Sequence, residues 1–300
     1  MTKTNHIAIC VCTYRRAELL RSLLEDLERQ ETDGLFTYSI LVVDNDREEG
    51  ARAVVEEFAA KKSVSVDYQV EPKQNIALAR NRAVAHFTGE YLVFIDDDEN
   101  PIRRWLVTLF LACQKYNSHG ALGPVHPRFD VQPPPWVVKG KFYDRSTYPT
   151  GTVIDWRKGR TGNTLLKREV FEGLAVPFRP EFRTGEDQDF FRRVIEKGFF
   201  FVWCDEAAAY ETVPPIRWKR SFLLRRALLR GYTSLAHPTS RVKAILTSLV
   251  AVPAYTLFLP VAFMIGQGKF MSVLVRLCDH LGRLLGVIGI NPIREPYVTA

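Results

Sequence analysis

Cysteine is scarce in this chain of 300 residues and follows no recognisable pattern. The five cysteines are Cys10, Cys12, Cys113, Cys204 and Cys278. Their number is odd, and their spacing fits neither a disulfide framework nor a zinc site. We therefore expect reduced cysteines in the core of a protein from a reducing compartment.

The chain also shows no internal repeat and no low-complexity tract. It begins Met-Thr-Lys-Thr-Asn-His, so we expect no secretory signal peptide. Charged residues make up 25% of the chain and hydrophobic residues 46%. These values are typical of a globular protein and exclude a disordered one.

The basic excess is modest and unevenly placed. The formal net charge is +7, which is compatible with phosphates, nucleic acid or an anionic membrane surface as partners. The excess is concentrated between residues 217 and 243, where aromatic side chains do not alternate with basic ones as a base-stacking platform needs. We therefore expect no nucleic-acid partner.

Short apolar runs alternate with amphipathic helical patterns over the first part of the chain. They predict strands over residues 6–13, 39–43, 64–70 and 91–95, and helices over residues 17–30, 50–60, 76–87 and 105–116. After an irregular proline-rich stretch over 121–160, the pattern predicts a strand at 162–166, a helix at 186–197 and a strand at 199–203. This alternation is typical of an α/β fold with a mainly parallel sheet flanked by helices. Ligands of such sheets bind beyond the carboxyl ends of the strands.

The chain ends in two apolar stretches. Residues 244–267 carry no charge and are long enough to span a bilayer, although Pro253 and Pro260 should kink or split the helix. Residues 270–290 form a second stretch that charged side chains interrupt. The two helices either pack together in a soluble protein or form a membrane-embedded hairpin or re-entrant pair. The basic segment before them favours the membrane and should lie on its cytoplasmic side.

Acidic side chains follow two of the predicted strands. Asp96, Asp97 and Asp98 come directly after the strand at 91–95, and Asp44 ends the strand at 39–43. Alternate side chains of an extended segment point the same way, so Asp96 and Asp98 should meet one ligand, for which Mg²⁺ or Mn²⁺ bound to substrate phosphates is suited. The alternative is a solvated acidic turn that caps the next helix. Asp44 either accepts hydrogen bonds from a base or ribose, or starts a turn.

Two further groups are candidates for catalysis. Glu186 and Asp187 open the helix at 186–197. Carboxylates there either complement the helix dipole or, in the case of Asp187, remove a proton from an attacking hydroxyl. Arg226 and Arg230 share one helical face and either neutralise a leaving diphosphate or add charge beside a membrane surface.

Five segments, in order, resemble the family 2 glycosyltransferases with a GT-A fold. They are residues 9–16 (ICVCTYRR), 41–45 (LVVDN), 75–81 (NIALARN), 89–98 (GEYLVFIDDD) and 185–189 (GEDQD). Gly-Pro-Val at 123–125, Thr-Gly-Asn at 161–163 and Leu-Leu-Arg-Arg at 223–226 look closest to the succinoglycan-type exopolysaccharide branch. We therefore divide the chain into a GT-A nucleotide-diphospho-sugar transferase domain (1–215), a basic connecting helix (216–243) and a membrane-associated helical tail (244–300).

The resemblance implies a role for each matching position. For the donor it implies contacts from Thr13, Tyr14, Arg16, Asp44 (to the uracil), Arg80, Asp96 (to the ribose) and Asp97. For the chemistry it implies Asp98, together with Asp96, at the metal, and Asp187 as the base with Glu186 beside it. Processive members carry a Gln-x-x-Arg-Trp motif. Here Pro214 stands in the place of the glutamine before Arg217, which favours transfer of a single sugar.

Together these features predict a metal-dependent, inverting glycosyltransferase at the cytoplasmic face of the cell membrane. It would take glucose or a related sugar from a UDP-sugar and add it to a polyprenyl-diphosphate-linked oligosaccharide in exopolysaccharide synthesis. One alternative is a metal-dependent nucleotidyl- or phosphotransferase, which asks for a glycine-rich phosphate loop that is absent after the first strand. The other is a non-catalytic membrane-anchored scaffold, which predicts no metal-dependent affinity for UDP.

Overall fold

A computed structural model describes residues 5–61, 63–182, 184–236 and 241–293. The chain divides into two compact units. The first comprises Met1–His126, Arg145–Glu181 and Glu186–Thr212, and the second comprises Pro127–Asp144, Phe182–Gly185 and Val213–Ala300. The second unit therefore takes in two short segments that the sequence grouped with residues 1–215.

Two sheets contain the strands. In chain order these are β1 (Asn5–Thr13), β2 (Phe36–Asp44), β3 (Val66–Val70), β4 (Tyr91–Asp96), β5 (Glu99–Pro101), β6 (Gly120–Leu122), β7 (Val125–Arg128), β8 (Thr164–Lys167), β9 (Val202–Trp203) and β10 (Ala209–Thr212). The larger sheet has the order β3-β2-β1-β4-β8-β6-β9, in which β8 runs antiparallel to β4 and β6. The pairs β1–β2, β1–β4, β2–β3 and β6–β9 are parallel. The predicted α/β fold with a mainly parallel sheet is confirmed.

Helices cover both faces of the larger sheet. They are α1 (Ala17–Glu28), α2 (Arg52–Ala60), α3 (Ile76–His86), α4 (Trp105–Lys115) and α6 (Glu186–Glu196), with a short α5 (Pro135–Gly140) in the second unit. Ile7, Ile9 and Val11 of β1 pack on one face with α1, α2 and α4, while Ala8 and Cys10 pack on the other with α3 and α6. Burial on both faces explains why β1 is a continuous apolar run.

The proline-rich stretch over 121–160 is more ordered than the sequence suggested. It contains β7, α5 and a 3₁₀ helix at Trp156–Lys158. Pro135 occupies the first turn of α5, where a backbone N–H would have no partner within the helix. This proline is therefore compatible with the start of a helix. The described cysteines are all free thiols, as expected.

Three helices form the C-terminal part of the second unit: α7 (Arg220–Thr233), α8 (Arg241–Ile265) and α9 (Gln267–Val287). Pro253 and Pro260 lie inside α8, which runs unbroken from Arg241 to Ile265, so of the two predicted effects, a kink or a split, the split is wrong. Each proline withdraws one backbone donor, and the hydrogen bonds of the surrounding turns are sufficient to continue the helix. In the described part of the chain, α8 is the helix that is long and apolar enough to cross a membrane, with a mean hydropathy of 2.0 in its most apolar window, of which 11% is buried.

Helix α9 packs closely against α7 because glycines remove side chains from the contact. A Cβ on Gly282 of α9 would lie 2.1 Å from the backbone oxygen of Leu228, and one on Gly231 of α7 would lie 1.9 Å from the oxygen of Asp279. Helix α9 also contacts α8, where His280 Nδ1 lies 3.0 Å from Ser248 Oγ.

We expect Gly282→Ala to lower the thermal stability of the purified chain in detergent. The added methyl group meets backbone, which cannot move aside as a flexible side chain can, and such overpacking costs about 1–3 kcal/mol. Gly286→Ala is the matched control, because the nearest atom there is a side-chain carbon of Leu235 at 3.0 Å. Equal melting temperatures for the two variants, followed by circular dichroism, would contradict the close packing.

Candidate active site

The carboxyl ends of three adjacent strands lie side by side in the first unit. Thr13 at the end of β1 stands opposite Asp44 at the end of β2, and Cys12 stands opposite Asp96 at the end of β4. The acidic residues that follow separate strands in the sequence are therefore neighbours along one edge of the sheet.

Asp97 and Asp98 form a turn after β4 and share one cation. Arg16 Nη1 lies 3.0 Å from Asp97 Oδ1 and 3.3 Å from Asp98 Oδ2. Thr13 donates a 2.8 Å hydrogen bond to Asp97 Oδ2. Burial raises the pKa of Asp97 to about 6, with Arg16 acting in the opposite direction. Four predicted site residues are thus brought together. The extended-chain alternation assumed for Asp96 and Asp98 does not apply, because β4 ends at Asp96.

A second group of predicted residues surrounds Arg80 of α3. Arg80 Nη1 donates to Glu186 Oε1, and Arg80 Nη2 lies 3.6 Å from Asp96 Oδ1. Only 7% of Arg80 is exposed. Burial works to lower the pKa of Arg80, but Glu186 and Asp96 raise it overall. Burial raises the pKa of Glu186 to about 7, although Arg80 opposes the shift. This buried guanidinium joins the end of β4 to the start of α6.

Asp187 lies beside this group in the first turn of α6. Its Oδ1 accepts the backbone N–H of Gln188 at 2.8 Å. Its negative charge contributes to the raised pKa of both Arg80 and Glu186. Asp187 is half-buried, so it lies next to the buried pair and still reaches solvent.

Two asparagines of the α3 region hold the segment that leads to α6. Asn75 caps α3 by accepting the N–H groups of the first turn and donates to the oxygen of Pro180 at 2.9 Å. Asn81 exchanges hydrogen bonds of 2.7 and 2.8 Å with the backbone of Phe178. These anchoring roles were not predicted from the sequence. The one available signal was an asparagine placed directly before a helical pattern.

A buried charge network lies behind Asp96, and it was not predicted from the sequence either. Glu99 has no exposed surface, accepts the Asp96 backbone N–H at 3.3 Å and lies 3.4 Å from Arg145 Nη1. Arg145 also donates to Glu211. Burial, and then the charge of Asp96, raise the pKa of Glu99 well above its ordinary value. A Cβ on Gly162 would lie 2.8 Å from Glu99 Oε1 and 3.0 Å from Asp96 Oδ2, so glycine allows the backbone to approach both carboxylates.

Asp44 is enclosed by its own turn. Its Oδ1 accepts the N–H of Asp46 at 3.0 Å, and its Oδ2 accepts the N–H of Ala51 and the hydroxyl of Tyr68, each at 2.8 Å. Asp44 has no exposed surface. The structure thus shows the turn that was one of the two alternatives, and the contact of Asp44 with the uracil stays a prediction.

The other three predicted donor residues are Tyr14, Arg226 and Arg230. Tyr14 is half-buried, with the guanidinium of Arg15 at 5.2 Å from its ring centre. Arg226 and Arg230 belong to α7 of the second unit, where Arg230 Nε donates to Asp279 at 2.7 Å. Their roles at the donor stay predictions.

Carboxylates outnumber guanidinium groups around the end of β4. The carboxylates belong to Asp96, Asp97, Asp98, Glu99, Glu186, Asp187 and Glu211, and the guanidinium groups to Arg16, Arg80, Arg145 and Arg160. Over the described ranges, no three His, Cys, Asp or Glu side chains are arranged to hold a metal ion by themselves. A surplus of oxygen ligands without a complete shell fits Mg²⁺ or Mn²⁺, which take their remaining ligands from phosphates and water.

Comparison with known proteins decides the family. Residues 8–174 match the family model for glycosyl transferase family 2. The chain is 34% identical over 233 residues to the succinoglycan biosynthesis protein ExoM of Rhizobium meliloti (strain 1021), which covers 77% of this chain and 74% of that protein. The chain belongs to glycosyl transferase family 2. It is therefore a glycosyltransferase, and the resemblance seen in the five sequence segments is confirmed.

Solved structures show the same fold at low sequence identity. A mannosyltransferase from Pyrobaculum calidifontis, in complex with GDP-Man and Mn²⁺, superposes with a TM-score of 0.61 at 17% identity, over 94% of this chain and 88% of that one. Residues 1–349 of TarS from S. aureus, in complex with UDP-GlcNAc, superpose with a TM-score of 0.54 at 17% identity. That match covers 70% of this chain and 59% of the TarS chain. The predicted GT-A fold is confirmed.

We expect Asp97→Asn to stabilise the first unit increasingly as the pH rises from about 5 to about 7, in the presence of EDTA. The pKa of Asp97 is about 6 in the folded chain, above the ordinary aspartate value. The folded state therefore holds a proton that the unfolded state releases, and the stability of the wild type falls as the pH rises through this range. The variant does not titrate there, so its advantage should grow by on the order of 1 kcal/mol.

Chemical denaturation at several pH values measures this difference. Asp33→Asn is the control, because the Arg104 hydrogen bond holds the pKa of Asp33 below its ordinary value and outside this pH range. A stability difference between Asp97→Asn and wild type that does not change with pH would contradict the assignment.

Proposed function

We propose that this chain transfers one sugar from a UDP-sugar to a lipid-linked oligosaccharide, with inversion of the anomeric configuration and with Mg²⁺ or Mn²⁺ bound. The observation that carries the proposal is the convergence at Arg80, which joins Asp96 at the end of β4 to Glu186 at the start of α6. This pair of contacts brings a group suited to the donor next to Asp187, a group suited to the acceptor.

The proposed reaction is a single displacement at the anomeric carbon. Asp187 removes the proton from an acceptor hydroxyl, whose oxygen attacks the face opposite the diphosphate. The bond to the donor oxygen breaks as the new one forms, so an α-linked donor yields a β-linked product. Asp187 is suited to this role because Oδ1 is held by the N–H of Gln188, which orients the carboxylate on the helix end.

Asp98 and Asp96 are the proposed ligands of the divalent cation. When bound, the cation supplies positive charge to the diphosphate that leaves. Arg80 keeps the Asp96 carboxylate in place from one side, and Glu99 accepts the Asp96 backbone N–H from the other. Arg16 does the same for Asp98, and with Thr13 it orients Asp97. These contacts fix the acidic edge before a donor arrives.

The proposed donor, acceptor and location come from the relatives and from the tail. ExoM is named for succinoglycan biosynthesis, which supports a role in exopolysaccharide synthesis. The polyprenyl-diphosphate-linked acceptor is proposed from the resemblance of the sequence segments to that branch. TarS was solved with UDP-GlcNAc, which supports a UDP-sugar donor. Helix α8 is apolar, and few of its residues are buried, unlike a core helix of a soluble protein. Together with the basic segment, it supports binding to the cytoplasmic face of the cell membrane.

We expect Asp187→Asn to abolish sugar transfer while UDP binding persists. The amide cannot accept the hydroxyl proton, and loss of a general base lowers the rate by about 10²- to 10⁴-fold. Release of UDP from a panel of UDP-sugars, with purified protein, Mn²⁺ and membrane lipid extract, measures turnover, and calorimetry measures UDP affinity. Glu181→Gln, an exposed carboxylate before α6, is the control. Normal turnover by Asp187→Asn would remove Asp187 from the mechanism.

We expect Leu257→Lys in α8 to weaken binding to phospholipid vesicles. Leu257 is 80% exposed in the middle of the apolar helix, and a lysine at the centre of a spanning helix costs about 2.5–3.5 kcal/mol. Leu111→Lys is the matched control, because Leu111 is an exposed leucine on α4 of the first unit. Flotation with anionic vesicles measures the bound fraction. Equal flotation of both variants would argue against insertion of α8.

A further inference from the structure

Arginines around the end of β4 differ in whether they have a carboxylate partner. Arg16 lies against Asp97 and Asp98, and Arg80 lies against Asp96 and Glu186. Arg145 lies against Glu99 and Glu211. Each of these three cations therefore already lies against two carboxyl groups of the protein itself.

Arg160 is the exception among these four. Its side chain is half-buried, yet its guanidinium group makes no ion pair or hydrogen bond with any residue in the described part of the chain. Burial lowers its pKa, and the neighbouring charge of Arg145 lowers it further, while Asp187 acts in the opposite direction. Two guanidinium groups close together and partly out of water repel each other unless an anion lies between or beside them.

Glycines near Arg160 allow its backbone to approach both α6 and the acidic residues after β4. A Cβ on Gly159 would lie 2.4 Å from the ring of Phe191 on α6. A Cβ on Gly162 would lie within 3.0 Å of both Asp96 and Glu99 after β4. The backbone around Arg160 is thus pressed against α6 at one end and against the acidic edge at the other. The backbone oxygen of Arg160 accepts a 2.6 Å hydrogen bond from the hydroxyl of Thr164, which orients the backbone there.

The next residue also has an unsatisfied polar group. The hydroxyl of Thr161 is buried and has no hydrogen-bond partner over the described ranges. Buried polar groups normally find a partner within the protein, in water or in a ligand. The side chains of Arg160 and Thr161 therefore both have polar groups without a hydrogen-bond or ion-pair partner in the described part of the chain.

We propose that Arg160 is a phosphate-binding residue beside the start of α6, where Asp187 lies. The inference rests on the proposed function, because it adds a guanidinium group to the proposed site. This guanidinium group pairs with no carboxylate in the described part of the chain and can bind a phosphate group. A guanidinium group presents two parallel N–H donors to phosphate oxygens. Two sources supply this chemistry: the donor diphosphate, whose charge grows as the sugar departs, and the diphosphate of the lipid-linked acceptor. Arg160 takes part in no covalent step.

The test compares Arg160→Gln with Arg157→Gln as the matched control, since Arg157 is an exposed arginine of the preceding 3₁₀ helix that pairs with Asp155. Calorimetry with Mg²⁺ measures the affinities of UDP, UMP and inorganic diphosphate for the full-length protein. Steady-state kinetics measure KM for the lipid-linked acceptor in membrane extract. Arg160→Lys keeps the charge and should restore part of any lost affinity.

We expect Arg160→Gln to weaken the binding of UDP and inorganic diphosphate by about tenfold or more, and that of UMP much less, if the donor supplies the phosphate. If the acceptor supplies it, UDP affinity stays at the wild-type value and KM for the acceptor rises by a similar factor. Either result supports the phosphate site and identifies its source.

The proposal is overturned if Arg160→Gln matches Arg157→Gln in all four measurements. It is also overturned if Arg160→Gln unfolds or melts at a lower temperature than wild type, because an arginine without a protein partner should not stabilise the fold. The two proposals fail separately. Wild-type protein that binds inorganic diphosphate through Arg160, but releases UDP from no UDP-sugar, would reject the proposed transfer from a UDP-sugar and keep the phosphate site.

Discussion

The site depends on one buried cation, Arg80 of α3. Its guanidinium group contacts Asp96 at the end of β4 and Glu186 at the start of α6, two positions that lie far apart in the sequence. A buried arginine without carboxylates would be strongly unfavourable, and so would buried carboxylates without the arginine. Each partner therefore requires the others, and this requirement holds the helix that carries Asp187 against the strand that carries the acidic run.

The same reasoning explains the crowding of charge behind the acidic run. Glu99 and Glu211 hold Arg145, and Arg16 holds Asp97 and Asp98, so most charged groups near the end of β4 orient one another. A site built this way changes little when a charged ligand enters, because its dipoles and charges are already arranged. The carboxylates that remain suit the divalent cation of the proposed reaction, and Arg160 suits the proposed phosphate group.

The sequence predicted those parts of the molecule that depend on local periodicity. The apolar run of β1 and the leucine stripe of α1 identify a buried strand and an amphipathic helix without any knowledge of their neighbours. Acidic residues at strand ends could be placed on one edge because parallel strands end together. The contacts of Asn81 with Phe178 and of Arg145 with Glu211 could not be predicted. Each joins residues far apart in the chain, and nothing local distinguishes them from ordinary surface residues.

Helices α8 and α9 are both apolar in sequence, but they differ in which of their side chains are exposed. The polar side chains of α9 contact the neighbouring helices. Asp279 accepts a hydrogen bond from Arg230 of α7, and His280 lies against Ser248 of α8. Helix α8 contributes Ser248 to that contact. Its exposed surface elsewhere is largely apolar, with Leu257 and Met264 at least 80% exposed. A membrane-embedded pair needs apolar surface on both members, whereas this pair has it on α8. The polar contacts of α9 are satisfied beside α7 and α8, so under the proposed membrane association α8 is better suited than α9 to enter a bilayer.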